Sequence, residues 1–464
     1  MMQRTALDVL QDPPAVREAR RSDVVVHPKE VRGVVVVAVG RPDAISLVLG
    51  SGDSRTHLRW RTAPQPETAR APAGRRFGES SLPRSVTLRQ SVTAGPSAVC
   101  HADFTAMHSE LRENVPLAPH TTIGLGGDAR YFWDCASESE LREALQFGVE
   151  RRLPIQVLGG GSNMIFSDAG YPGLVVKIGI QGAALQEAGD AVLVQVAAGA
   201  DWDALVREAV DRGLAGIECL SGIPGTVGAT PVQNVGAYGQ EIAETLVSVA
   251  CLDRASLERR QFRADECRFA YRQSRFKRED RDRYIILEVT LRLRKQARPL
   301  LRYAELADEV RRTAPIDALA PAAALGAVRD AVLALRRRKS MVLAVGDPNA
   351  RSVGSFFLNP ILGPGALEAL RRRLGTMDGP VPTFPAERAG GVGGVKVPAA
   401  WLVERAGFAK GYRRGGVGIS SNHALALVNH GGTTAELLAL AESIERAVYD
   451  RFGIRLEREP VVVG

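Results

Sequence analysis

The sequence predicts an α+β protein of more than one domain, and three observations carry that expectation. The chain has 464 residues, where a single domain takes roughly 100–200. From Met107 onward, short apolar runs of strand type alternate with amphipathic helical patterns. One of those runs passes directly into Gly159-Gly160-Gly161, which marks a sharp turn rather than a continuing core element.

Residues 1–106 differ in texture from the rest. Val34-Val35-Val36-Val37 has the makings of one strand, but stretches such as RTAPQPETARAPAGRR surround it. Such Pro/Ala/Arg-rich composition offers little apolar periodicity to bury, so this part is expected to be disordered. It is either a flexible arm or an upstream reading of the frame ahead of Met107. Residues 137–151 then read as a helix, with Ser137 as N-cap and Glu140 at the capping-box position. Leu141, Leu145 and Val149 are assigned to its buried face. A buried strand over Ile155–Leu158 follows, then strands at 174–178 and 192–197 and a helix near 202–213. This α+β segment continues to about Leu293, and helices near 303–313 and 324–338 lead to a third region, 350–452. That region opens with a Gly-Ser-Phe-Phe strand, followed by helices at 366–374 and 399–406, a strand at 424–428 and a helix at 434–451. A last strand is expected within Arg455–Val463.

Composition narrows the function. The net charge is +8, but residues 1–106 carry 15 Lys/Arg against 10 Asp/Glu, and the remainder 45 against 42. A nucleic-acid-binding protein concentrates its basic side chains in the folded body, so that role is disfavoured. No apolar run is long enough for a membrane span, and the N-terminus lacks the order of a secretory signal. The five cysteines, at positions 100, 135, 219, 251 and 267, form no CxxC pair and no metal-type spacing. An odd, scattered set reads as buried free thiols in a reducing compartment, hence the cytoplasm, and no metal is expected.

Three groups of residues carry chemistry. Gly159-Gly160-Gly161-Ser162-Asn163 follows a strand, and consecutive N–H groups in such a turn make a concavity suited to a pyrophosphate. Its spacing is neither that of a Walker loop nor that of the GxGxxG fingerprint, and a plain glycine-rich turn is the competing reading. Residues 221–239 hold five glycines and two prolines among small side chains. Such a density of breakers suits a long loop wrapped around a flat, amphipathic ligand, not a core element. The third group is dispersed: Tyr271-Arg272-Gln273-Ser274-Arg275-Phe276-Lys277, Val353-Gly354-Ser355-Phe356-Phe357-Leu358-Asn359-Pro360 and Leu456-Glu457-Arg458-Glu459. Taken singly these read as surface charge, a strand edge and a solvated tail.

Together, and in this order, the motifs resemble one family, the UDP-N-acetylenolpyruvoylglucosamine reductases (UDP-N-acetylmuramate dehydrogenases). TTIGLGG, GGGSN, IPGTVGATPVQNVGAYG, YRQSRFK, VGSFFLNP and SSNHALALVN carry the resemblance, from Met107 to the end of the chain. QNVGAYG, SFFLNP and the tyrosine of Leu301-Arg302-Tyr303 look like the branch with an inserted tyrosine loop. The resemblance implies a two-lobed FAD-binding domain of the PCMH/vanillyl-alcohol-oxidase type and a C-terminal α+β substrate domain. The lobes would span 107–180 and 181–340, the second including a helical connector, and the substrate domain 341–453. The last strand, 455–463, would return to the first lobe.

The implied reaction reduces UDP-N-acetylglucosamine enolpyruvate to UDP-N-acetylmuramate for peptidoglycan, with FAD bound and NADPH as reductant. By similarity Gly159, Gly160, Gly161, Ser162 and Asn163 cradle the FAD pyrophosphate. Ile223, Pro224, Gly225, Thr230, Asn234, Gly236, Ala237 and Tyr238 line the isoalloxazine and ribityl chain. Ser355 aligns with the proton donor, and Arg272 and Glu459 with the groups that polarise the enolpyruvyl unit and stabilise the enol-type intermediate. Tyr303, Lys339, Asn359 and His423 match substrate-binding positions, although a histidine at an apolar strand entry also serves as a plain core residue. The family ending commonly reads Leu-Glu-Pro-Glu, whereas Arg458 stands here in place of that proline, which keeps Glu457 open as the acid. No histidine lies in GGGSN or the long loop, so FAD is expected to bind without a covalent bond, to a monomer. The competing functions are another flavin oxidoreductase on the same scaffold and an inactive nucleotide-sugar-binding protein.

Overall fold

The structure, a computed structural model, describes residues 35–39, 44–51, 54–61, 111–374, 379–386 and 394–464. The chain divides into two compact units, Met1–Cys100 and His101–Gly464. In the first, strands Val35–Val39, Ala44–Ser51 and Ser54–Arg61 form an antiparallel meander, in a stretch expected to lack regular structure. The anticipated strand at 34–37 falls on the first of the three. The rest of residues 1–106 lies outside the described residues.

The second unit begins with a four-stranded sheet in the order Arg112–Pro116, Asp128–Cys135, Tyr171–Ile178, Ile155–Leu158. The last two pairings are parallel, and helix α1 (Glu138–Glu150) makes the crossover. Ser137 caps α1 by accepting from Glu140 N at 3.2 Å, while the Glu140 carboxylate accepts from Ala136 N. The buried face of α1 is Leu141, Ala144, Leu145 and Gly148, not Leu141, Leu145 and Val149 as expected. Val149 is 68% exposed, because at 3.6 residues per turn position i+7 returns to the stripe and i+8 overshoots it. Gly148 packs closely there, since a Cβ would lie 2.5 Å from Ile155 Cδ1 and the isoleucine side chain would have to shift.

Next comes an antiparallel sheet ordered Arg259–Arg263, Leu246–Asp253, Tyr284–Lys295, Ala191–Ala197, Ala183–Ala188. Leu214–Ala215 pairs beside the long central strand. Helix α2 (Trp202–Asp211) starts at Asp201, whose side chain accepts from Ala204 N at 2.7 Å. Its apolar stripe, Trp202, Leu205, Val206 and Ala209, joins one core with Leu141, Leu174, Val194 and Val289. Helices α3 (Ala304–Thr313) and α4 (Pro321–Arg338) pack on each other through Leu306, Val310, Val328 and Val332.

The C-terminal part contains the antiparallel sheet Ser352–Ser355, Ala426–Asn429, Val417–Ile419, Arg413–Arg414. Helices α5 (Pro364–Arg373), α6 (Ala399–Arg405) and α7 (Thr434–Phe452) contribute Leu370, Leu402, Leu440 and Ile444 to its core. A capping box of Thr433 and Glu436 starts α7, and Gly453, at φ 68°, ends it. The final strand covers Val461–Val463 only, running parallel to Met164–Phe166 in the first part of the unit. The preceding residues lie instead along 356–358, with Leu358 N donating to Glu457 O and Glu459 N to Phe356 O. The chain end thereby ties the beginning of the unit to its C-terminal sheet.

Candidate active site

A cavity of about 940 Å³ opens in the second unit, within the range that holds a cofactor. The GGGSN turn forms one wall, at the C-terminal end of strand Ile155–Leu158. Among the described residues, the N–H groups of Gly160, Gly161, Ser162 and Asn163 donate to no protein acceptor. Of these residues only Gly161 is buried, and all four line the cavity, so this run of free donors suits an anionic ligand. The glycines answer a second need that the sequence did not reveal. A Cβ on Gly160 would stand 2.6 Å from Gly225 Cα, and one on Gly161, at φ +65°, 2.0 Å from His120 O. The turn and the long 221–239 loop therefore interlock backbone to backbone.

Ile223, Pro224, Gly225, Thr230 and Gly236 line the same cavity, as do Arg272, Ser355 and Glu459. Three remote segments thus converge. Arg272, held at φ +53°, places Nε 3.3 Å from Glu459 Oε1 and donates through its terminal nitrogens to the carbonyls of Asn234 and Gly236. Burial lifts the Glu459 carboxyl above its ordinary range, against the opposing pull of Arg272 and Lys277. Ser355 ends the first strand of the C-terminal sheet, opposite Ala426. The departure at position 458 also has a place: Arg458 forms a two-pronged ion pair with Glu445 on α7, at 2.6 and 2.8 Å. Glu457, Arg458 and Glu459 all line the cavity, and Arg458 is anchored to the helix through Glu445.

Asn234, Ala237 and Tyr238 are not part of the cavity lining. Asn234 is buried and committed to the loop itself, donating to Glu241 Oε2 and Ala270 O and accepting from Ala243 N. Tyr238 meets Tyr303 edge to face at 5.6 Å, and Lys339 Nζ lies 5.8 Å from its ring centre while pairing with Glu305 at 2.6 Å. Burial raises the Tyr238 phenol to about 12. Tyr303, Lys339, Asn359 and His423 likewise stand outside the cavity lining. Asn359 Oδ1 accepts from Ala399 N at 2.8 Å, at the start of α6. His423 is pushed down to about 4 by burial and then by Lys339, Lys410 and Arg336, while its Nδ1 accepts from Leu425 N.

Four contributors had no assigned role in the sequence reading beyond their motifs. Gln233 joins Asn163 Nδ2 (2.9 Å) to Glu459 Oε1 (3.4 Å), linking the glycine turn to the acid. Lys277 lines the cavity, its ammonium disfavoured by burial, and Arg336 and Ser340 enter from the end of α4. The PVQNVG and YRQSRFK motifs contained the first two, but nothing in the pattern singled out Arg336 or Ser340.

The residues present fit FAD: unsatisfied backbone donors for a diphosphate, a long interlocked loop, and a cavity of matching size. The family model described as an FAD binding domain matches residues 129–256, and the chain is a flavin-dependent oxidoreductase. A second model, described as the UDP-N-acetylenolpyruvoylglucosamine reductase C-terminal domain, matches residues 347–463. The reductase of that name from Thermobifida fusca (strain YX) is 49% identical over 362 residues, 77% of this chain and 99% of the relative. The one from Mycobacterium tuberculosis (strain ATCC 25177 / H37Ra) is 43% identical over 376 residues, 78% of this chain and 97% of the relative. The crystal structure of the enzyme from Thermus caldophilus aligns at TM-score 0.52 and 25% identity, covering 76% of this chain and all of that one. The chain belongs to the UDP-N-acetylenolpyruvoylglucosamine reductase family.

Proposed function

We propose that Arg272, Ser355 and Glu459 carry out the chemistry of that family's reaction, the NADPH-dependent reduction of UDP-N-acetylglucosamine enolpyruvate to UDP-N-acetylmuramate for peptidoglycan. Bound FAD supplies the hydride, taken from NADPH. The chain's own residues handle the charge and the proton. Hydride addition to the terminal enol carbon leaves negative charge on the neighbouring carbon and its carboxylate. Arg272, fixed by two backbone carbonyls and Glu459, presents a preorganised cation to that charge. Glu459, whose proton is retained above the usual carboxylate range, assists as a hydrogen-bond donor. Ser355 delivers the proton to the carbon.

The observation that carries this reading is the convergence of these three residues with the GGGSN turn in one cavity. Tyr303, Lys339, Asn359 and His423 bind the nucleotide sugar beside it. A division at 107–180, 181–340 and 341–453, with 455–463 returning to the first lobe, is supported by one sheet in each stretch and by the pairing of Val461–Val463 with Met164–Phe166. A cytoplasmic setting fits the four described cysteines, all free and buried. No described helix is long and apolar enough to cross a membrane.

Replacing Ser355 by alanine tests the assignment. NADPH should still bleach the flavin in stopped flow, while product formation falls by about 10²–10⁴-fold, the usual contribution of general acid catalysis. Unchanged overall turnover would remove Ser355 from the mechanism.

A further inference from the structure

Arg336, in the last turn of α4, lines the cavity, and the nearby Asp203 is committed to Arg329. Its Nη2 donates to Met341 O at 2.6 Å, and its Nε is shut off from solvent with no acceptor. Among the described residues it has no ion-pair partner, whereas Arg329 is paired with Asp203, Arg338 with Glu309 and Lys339 with Glu305. A guanidinium nitrogen shut off from water without an acceptor is costly, and a fold retains it where a ligand supplies the missing partner.

Position indicates which anion. Arg336 Nε lies 3.4 Å from where a Cβ on Gly222 would stand, immediately ahead of Ile223-Pro224-Gly225. The diphosphate already has the free N–H groups of the GGGSN turn, the enolpyruvyl carboxylate has Arg272, and the proposed sugar-nucleotide residues lie outside this cavity lining. The remaining anion is one that arises during turnover. A hydride leaves NADPH with both electrons of its C–H bond and forms an N–H bond at flavin N5. NADP⁺ departs, and the ring keeps one added negative charge over N1 and the C2 carbonyl unless a further proton arrives. We propose that Arg336 is the counter-charge for this reduced flavin, a positioning residue that makes FAD easier to reduce. The inference rests on the reading of this cavity as the flavin site.

The test compares the parent holoenzyme with Arg336→Lys, Arg336→Gln and Arg336→Met, all without nucleotide-sugar substrate. Flavin content is measured first, then the midpoint potential and the pH dependence of the reduced-flavin spectrum. The neutral variants should hold oxidised FAD, show a lower midpoint potential, and take up the additional ring proton at a higher pH. The lysine variant should stay close to the parent. A parent protein without flavin would remove the cavity reading itself. With flavin in the parent, three results overturn the proposal alone. One is an unchanged potential and spectrum in the neutral variants. Another is loss of oxidised FAD in both neutral variants but not in the lysine variant, which assigns the charge to the diphosphate. The third is an unchanged potential with a raised KM for the nucleotide sugar, which assigns it to the substrate.

Discussion

Glu457 and Glu459 stand two residues apart and both line the cavity, yet their surroundings differ. Glu459 is paired with Arg272, reached by Gln233 and lifted in pKa by burial, whereas Glu457 is exposed. Glu459→Gln should therefore lower kcat by about 10²-fold or more, while Glu457→Gln leaves it nearly unchanged. A larger loss at Glu457 would reverse the assignment. The sign of the pH effect follows from the raised pKa. Glu459 stays protonated to higher pH than an ordinary carboxyl, so kcat should fall on the alkaline side as it ionises. That limb should disappear in the glutamine variant. Sequence alone left the two carboxylates open, because Arg458 stands between them in place of the family's proline. Only the position of Arg272, on a loop almost two hundred residues earlier in the chain, separates them.

At the scale of elements, helix and strand positions were largely legible and side-chain partners were not. Helices expected at 137–151 and 434–451 occur at Glu138–Glu150 and Thr434–Phe452, where N-caps and apolar stripes are local signals. The burial of Val149 and the extent of the last strand were misjudged, since each depends on what packs against the element. The connector shows the same limit. Glu309 on α3 is gripped by Arg312 on its own helix and by Arg338 at the end of α4, which hold its carboxyl down at about 2. A depressed carboxyl stabilises the fold fully above its ordinary value of about 4.5, and that contribution is lost as pH falls toward about 2. Glu309→Gln should lower Tm by a few degrees at neutral pH. The two melting temperatures should approach each other as pH drops through that window, and a constant difference at every pH would refute the clasp.

For the whole molecule, contacts divide the chain near position 100, and the whole candidate site lies in the second unit. A chain beginning at Met107 should therefore keep its FAD content, melting temperature and kinetic constants. Denaturation should release all of the flavin, because no histidine or cysteine is among the described residues that line the cavity. Loss of FAD on truncation, or flavin remaining on the precipitated chain, would contradict these expectations.

The sequence by itself determined the α+β class, most element positions, the glycine motifs and the family's reaction, because capping, periodicity and ordered motifs are properties of neighbouring residues. The tertiary structure decided which of those motif residues share the cavity, why Gly160 and Gly225 must lack side chains, how Arg458 is accommodated, and that Arg336 has no ion-pair partner among the described residues. These are matters of distance and exclusion from water between segments remote in sequence, and no local pattern records them.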